Sequence, residues 1–151
     1  MYSVFNSSFE ISLRILILMD ETGTAQSLGS LYLADFIATY GRVLGITEES
    51  INGENQFMYS EFASRRELVR GALKELVLVG HVHLLRSNKG FFYQINECGR
   101  EFSKSLDSQY AKEYRQAAKA ALLYMANRTQ KSIFDEINDM SIKSIQGSDK
   151  G

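Results

Sequence analysis

The fold of this protein is decided by residues 64–95, which read SRRELVRGALKELVLVGHVHLLRSNKGFFYQI. In the first half of this stretch, apolar residues recur at i, i+4 and i+8, which places them on one face of a helix. That face consists of Leu68, Val69, Ala72, Leu73, Leu76 and Val77. Gly80 follows the last apolar turn, where a glycine commonly caps a helix. The pattern therefore predicts an amphipathic helix that ends at this glycine.

Two β-type runs follow the glycine, at residues 81–86 and 91–95. The short turn between them contains Asn88 and Gly90, which are typical of a hairpin. Alternation along the second run places Phe91 and Tyr93 on one face and Phe92 on the other, so we expect at least one face to pack in the core rather than to stack on bases. A helix that leads directly into a hairpin is typical of a winged helix-turn-helix.

Two more helices are predicted before this unit. Ser7 and Glu10 have the spacing of a capping box, and the broad apolar stripe after them indicates a helix that is buried on most sides and ends at residues 20–23. A second amphipathic pattern runs from Leu28 to about residues 40–41. Residues 41–60 lack periodicity and read as a loop, which is unusually long for a compact domain.

Helical patterns also follow the hairpin. A helix begins at about residue 96, a long one runs from about 108 to 127, and a last apolar stripe precedes a polar tail. The stripe consists of Ile133, Phe134, Ile137 and Met140, which we expect to pack back on the domain or form a dimer contact, although it could also dock on a partner.

The predicted fold class is mostly α (α+β): a winged helix-turn-helix core with a two-stranded β-wing and a C-terminal helical extension. Residues 1–126 form the winged-helix-like domain, with the long loop between helix 2 and helix 3, and residues 127–151 form the C-terminal helical segment and polar tail. A chain of 151 residues fits one domain. Its single cysteine and the lack of a signal peptide or long apolar run predict a soluble, cytoplasmic protein without membrane contacts.

One group of basic side chains forms the candidate binding surface. It comprises Arg65, Arg66, Arg70 and Lys74 on the outer face of the third helix, and Arg86 and Lys89 on the wing. This set could contact DNA, form a solvated helix face with neighbouring glutamates, or bind a protein. The net charge of −1 and the long, partly acidic loop before the third helix weigh against DNA, because both would oppose phosphate binding. We therefore favour a protein partner.

Residues with catalytic or metal-binding chemistry are scattered. His81 and His83 could approach one metal from the same strand face, with Cys98 as the nearest third donor, but the spacing of a zinc site is missing. We interpret both histidines as structural and Cys98 as a small packing residue. No phosphate-binding glycine motif occurs in the sequence. We expect no catalytic site, no metal and no cofactor, so the chain is predicted not to be an enzyme.

Several segments together resemble a known family. They are residues 5–18, residues 65–73, the hairpin exit through Gly99 and Phe102, and residues 105–111. In this order they are similar to the second middle-component type of bacterial three-component ABC-ATPase systems, over about residues 4–125. Such systems resemble conflict or anti-phage modules that combine an ABC-type or SMC-type ATPase, a middle component and a variable effector.

The resemblance implies an adaptor that links the ATPase to the effector, and it carries no catalytic residues over to this chain. The sequence-based hypothesis is therefore a non-enzymatic adaptor that acts through protein–protein contacts. The alternative is a winged-helix DNA-binding transcriptional regulator. A homodimer remains possible under either hypothesis.

Overall fold

The computed structural model describes residues 7–41 and 58–139. Its elements in chain order are α1 (Ser8–Thr22), α2 (Leu28–Tyr40), α3 (Met58–Leu78), β1 (Val82–Ser87), β2 (Gly90–Ile95), α4 (Glu97–Ser105) and α5 (Gln109–Met125). Residues 130–139 form a further helix, α6. The predicted fold class is confirmed: the chain is mostly α, with a two-stranded antiparallel β-wing after the third helix and helices beyond it. Most of the predicted 41–60 loop lies outside the described residues, and α3 already begins at Met58.

Helix α1 begins and ends where the sequence predicted. The side chain of Ser7 accepts a hydrogen bond from the N–H of Glu10 at 3.2 Å, which satisfies one backbone donor of the first turn. At the other end, Gly23 has a φ of 67°, and its N–H donates to the carbonyl of Met19. Glycine adopts this left-handed conformation without a steric penalty, so the helix stops there.

Helix α2 forms the centre of the molecule. Every residue from 31 to 40 is buried, because α1, α3 and α5 all pack against this helix. A helix that is apolar on all sides suits such a position. The single charged residue of α2 is Asp35, which is buried with the apolar residues around it and therefore requires partners of opposite charge.

The hairpin forms where predicted, with strand bounds that differ by one residue from the predicted runs. Val82 pairs with Ile95 and Ser87 pairs with Gly90, which leaves residues 88–89 as the turn. Gly90 has a φ of 114°, a conformation that favours glycine. On the other side of β2, Tyr93 exchanges two backbone hydrogen bonds with Gln26, at 2.8 and 2.9 Å. The segment between α1 and α2 therefore attaches the wing to the helices.

The aromatic residues of β2 divide between the core and the surface. Tyr93 is partly buried against the core, whereas Phe91 is 54% exposed. Tyr93 therefore provides the expected core packing, whereas Phe91 lies outside the core. The reason is that the hairpin projects beyond the helices at its turn, so that only the end near Ile95 reaches the core.

Helix α6 packs back on the domain. Ile133 and Ile137 are buried, and the ring of Phe134 lies 5.9 Å from Tyr32 and 5.5 Å from Phe62. This contact confirms the first of the predicted roles for the apolar stripe, whose last residue, Met140, lies outside the described residues. Over the described part of the chain, none of the helices has the length and apolar character needed to cross a membrane.

Candidate interaction surfaces

A cluster of ionised and polar side chains lies in the interior, around Asp35. Arg14 donates two hydrogen bonds to its carboxylate, at 2.9 and 3.0 Å, and Arg65 donates one at 3.2 Å. The hydroxyl of Tyr114 donates another at 2.8 Å. Arg65 also donates to the hydroxyl of Thr39 at 2.6 Å. We call these residues the Asp35 cluster; they connect α1, α2, α3 and α5.

The electrostatics of the Asp35 cluster favour an ionised carboxylate. Burial alone raises the pKa of Asp35, but Arg14 and Arg65 outweigh that effect and lower the pKa below its ordinary value. Burial and the neighbouring carboxylate raise the pKa of Tyr114 well above its ordinary value, so its hydroxyl keeps the proton that it donates. Because Asp35, Arg14 and Tyr114 are at most 1% exposed, a substrate cannot reach them. The cluster stabilises and orients the helices.

The prediction that Arg65 lies on the outer face of α3 is wrong. Its side chain is 1% exposed and lies between the positions of Phe62 and Val69, which also face inward. Sequence patterning assigns a charged residue to the solvent, because burying an unpaired charge is very costly. Here the cost is offset by Asp35, which precedes Arg65 by 30 residues, and by the rings of Phe36 and Tyr40, which lie 5.6 and 5.3 Å from the guanidinium carbon.

The other predicted basic residues are on the surface. Arg66, Arg70 and Lys74 are exposed at i, i+4 and i+8 of α3 and form one line, which we call the basic stripe. Arg70 also forms an exposed ion pair with Glu67 at 3.4 Å, of the kind expected for a solvated helix face. Arg86 and Lys89 are exposed on the wing, where Arg86 lies over the ring of Phe91.

A groove opens along α3 beside the basic stripe. It has a volume of about 640 Å³ and lies between α1, α3 and Phe102 of α4, and we call it the α1–α3 groove. Four large apolar side chains line it although they are exposed to solvent: Phe9 (67% exposed), Leu68 (44%), Val79 (54%) and Phe102 (39%). A concave site with exposed apolar side chains is a common form of binding site, so the groove is a candidate interaction surface.

The floor and rim of the groove have distinct chemistry. Gly71 forms part of the floor, and a Cβ atom added there would meet no atom within 4 Å. Glu67 and Glu75 line the rim and are the only carboxylate, lysine or arginine side chains among the described residues that do so. At one end the ring of His81 stacks on Phe102, with 5.0 Å between the centroids. The groove is thus apolar inside and acidic at its edge.

The chain is similar to proteins of a known family. The family model described as ABC-three component (ABC-3C) system Middle Component 2 matches residues 4–147. The chain belongs to this family. The match includes α6 and so extends past residue 125, where the resemblance seen in the sequence segments ends. No curated protein and no solved structure matches the chain.

The remaining sequence-based candidates on this middle component have no reactive arrangement. His81 precedes β1, so that it does not share a strand with His83, and Cys98 is exposed on α4. The interpretation of Cys98 as a packing residue is therefore wrong. Its neighbour Gly99 packs instead, because an added Cβ there would lie 2.3 Å from the carbonyl oxygen of His81. In the described ranges, no three histidine, cysteine, aspartate or glutamate side chains could hold a metal.

Sequence reasoning missed the α1–α3 groove. Its residues come from three helices and three separate segments of the chain, at residues 8–13, 67–81 and 102, and the spacing of Leu68 assigns it to the core face. Gly71 was the available signal, because a glycine inside a strong helix pattern costs stability and calls for a packing or functional reason.

Proposed function

We propose that this middle component is a non-enzymatic adaptor, with a winged-helix core, that links an ABC-type ATPase to an effector in a bacterial conflict or anti-phage system. The observation that carries the proposal is the α1–α3 groove, where Phe9, Leu68, Val79 and Phe102 leave apolar surface open to solvent. Burial of such surface against a partner provides the main driving force of association. Membership of a three-component system supplies the candidate partners.

The non-enzymatic part of the proposal is supported by the Asp35 cluster. Its ionised members are buried, and they already bond to each other. An acid or base that acts on a substrate must be within hydrogen-bond reach of it. The buried position of Asp35 prevents such contact, whereas the α1–α3 groove is open and apolar.

A DNA-binding role is favoured by one specific observation, the basic stripe. Arg66, Arg70 and Lys74 lie on the third helix, which is the helix that enters the major groove in helix-turn-helix proteins. The exposed Arg86 and Lys89 on the wing could contact phosphates. The net charge of −1 opposes this role, because counterion release from phosphate supplies much of the affinity of DNA-binding proteins. We therefore rank it second.

Capture of the purified ATPase and effector subunits of the same system tests the adaptor role. The wild-type chain is expected to retain both subunits. A Leu68→Glu variant places a charge in the groove and is expected to lose at least one of them. Because Leu68 is 44% exposed, the unfolding free energy of the Leu68→Glu variant should stay within about 0.5 kcal/mol of the wild-type value. A wild-type chain that captures neither subunit would refute the adaptor role.

A triple variant, Arg66→Ala, Arg70→Ala and Lys74→Ala, provides the matched comparison on the neighbouring face of α3. We expect it to retain the subunits that Leu68→Glu loses. A mobility shift of duplex DNA at low salt that the triple variant abolishes would instead support the DNA-binding alternative.

A further inference from the structure

We propose that the occupant of the α1–α3 groove is a cationic amphipathic α-helix from a partner subunit. The inference rests on the proposed adaptor function and adds the chemistry and conformation of what is bound. Four properties of the groove carry it: its walls, its length, the open position at Gly71 and the acidic rim.

The walls favour a helix over an extended peptide. An extended segment has unpaired backbone groups and usually binds by adding a strand to a sheet edge. The residues that line the groove come from α1, α3, α4 and the turn that holds His81, so none of the described lining residues belongs to a strand. A segment buried there must satisfy its own backbone hydrogen bonds, and a helix does so internally.

The length of the groove corresponds to a short helix. Its lining extends from Glu67 on α3 to Val79, just after the end of that helix. At about 1.5 Å per residue, this distance is about 18 Å, which accommodates about three turns of a bound helix. Exposed apolar residues line the groove in two pairs. Phe9 and Leu68 lie on α1 and α3, and Val79 and Phe102 lie just after α3 and on α4. A partner helix with apolar residues at i, i+3, i+4 and i+7 presents a matching face.

Nothing among the described residues requires a glycine at position 71. It lies in the interior of α3, where glycine is about 1 kcal/mol less favourable than alanine. Its helical backbone does not require positive φ, and an added Cβ would meet no atom within 4 Å. The open position does allow a partner helix to approach α3 closely, as small residues do where helices cross. A bound helix therefore explains both the glycine and the exposed leucine one turn away.

The rim determines the sign of the partner's charge. Glu67 and Glu75 are exposed and lie two turns apart on α3. Glu67 has Arg70 at 3.4 Å, an exposed pair that contributes little, and Glu75 has no ion pair among the described residues. Lysine or arginine side chains that flank the apolar face of the partner helix would complement both glutamates and steer its association.

Peptide binding tests the inference directly. Overlapping peptides of about 20 residues that cover the ATPase and effector sequences are titrated with the full chain by fluorescence anisotropy. The expected binders carry an apolar stripe with flanking lysines or arginines, become helical on binding by circular dichroism, and bind more weakly as salt increases. A best binder that is acidic, or that stays non-helical when bound, would overturn the proposal.

Three variants of the chain test whether the peptide binds in the α1–α3 groove. Gly71→Leu fills the open floor, and the double variant Glu67→Lys with Glu75→Lys reverses the rim; each is expected to weaken the cationic peptide at least about tenfold. Glu113→Lys, an exposed charge reversal on α5 outside the groove, is the matched control and should bind as the wild type does. Unchanged affinity in both groove variants would overturn the assignment.

The outcomes separate this inference from the function on which it rests. Capture of intact subunits with no effect of Gly71→Leu or of the glutamate reversal would leave the adaptor role standing and refute the cationic helix. Failure to capture any subunit would refute the adaptor role itself. A wild-type dimer that Gly71→Leu converts to a monomer, measured by light scattering, would assign the groove to a second copy of this chain and overturn the proposal.

Discussion

The Asp35 cluster and the α1–α3 groove invert the usual arrangement of a folded chain. The cluster places Arg14, Asp35 and Arg65 in the interior, whereas the groove leaves Leu68 and Phe102 in contact with solvent. The two regions share α1 and α3 and differ in their partners: the buried charges are paired within the chain, and the described residues cover the exposed apolar side chains only in part. Charged side chains with partners are therefore buried here, whereas the apolar side chains of the groove remain open to solvent among the described residues.

The largest effect is expected from removing the centre of the cluster. An Asp35→Ala variant leaves the guanidinium groups of Arg14 and Arg65 buried without their carboxylate. Breaking a buried ion pair in this way costs about 3–5 kcal/mol, so the unfolding free energy in urea should fall by about that amount. The groove variant Leu68→Glu serves as the comparison, because it should change stability little. A loss below about 1 kcal/mol for Asp35→Ala would contradict the structural role of the cluster.

The stability of the cluster should depend on pH at both extremes. The folded-state pKa of Asp35 is lowered from its ordinary 3.8, so its contribution is present above that value and is lost as the pH falls through the folded-state pKa. The folded-state pKa of Tyr114 is raised above 10.0, so its contribution is present below that value and is lost as the pH rises further. Urea unfolding across this range measures both losses.

Tyr114→Phe is the matched variant for the loss of stability at high pH. It keeps the ring and removes the hydroxyl that donates to Asp35. The unfolding free energy should therefore fall less at high pH than in the wild type, while the loss of stability at low pH remains. If the unfolding free energy of Tyr114→Phe falls as steeply at high pH as that of the wild type, other groups cause the loss.

The smallest and most specific effect is expected from a pair of glycines. Gly99→Ala places a Cβ atom 2.3 Å from a backbone oxygen of His81, so α4 or the wing must shift, at a cost of about 1–3 kcal/mol. Gly71→Ala meets nothing within 4 Å and should stabilise α3 by about 0.5–1 kcal/mol. Thermal unfolding of both variants measures the difference. Equal destabilisation would show that position 71 is packed, and the groove would then not be open.

Local features of the fold could be predicted from the sequence because they depend on neighbouring residues. The N-terminal cap at Ser7, the end of α1 at Gly23 and the turn before Gly90 all lie where predicted. Each is determined by hydrogen bonds or backbone conformations within four residues of the position. The family resemblance likewise rests on short segments and is confirmed by the match over residues 4–147.

The candidate site was predicted less completely, because exposure depends on residues far apart in the chain. The outward position of Arg66, Arg70 and Lys74 follows from their spacing, but Arg65 has the same charge and is buried. Their roles in binding remain predictions. Leu68 shows the opposite case: its spacing assigns it to the core face, but α1 and α4 do not close over it.

The sequence by itself therefore determined the order of helices and strands, the positions of their caps and the family, since each of these depends on local spacing and short motifs. Only the tertiary structure decided which charges are buried and which apolar residues are open. Arg65 is buried because Asp35 lies opposite it on α2, and Leu68 is exposed because no side chain of the described residues covers it fully. Both outcomes depend on packing between elements that are distant in sequence, and periodicity within one element carries no information about such packing.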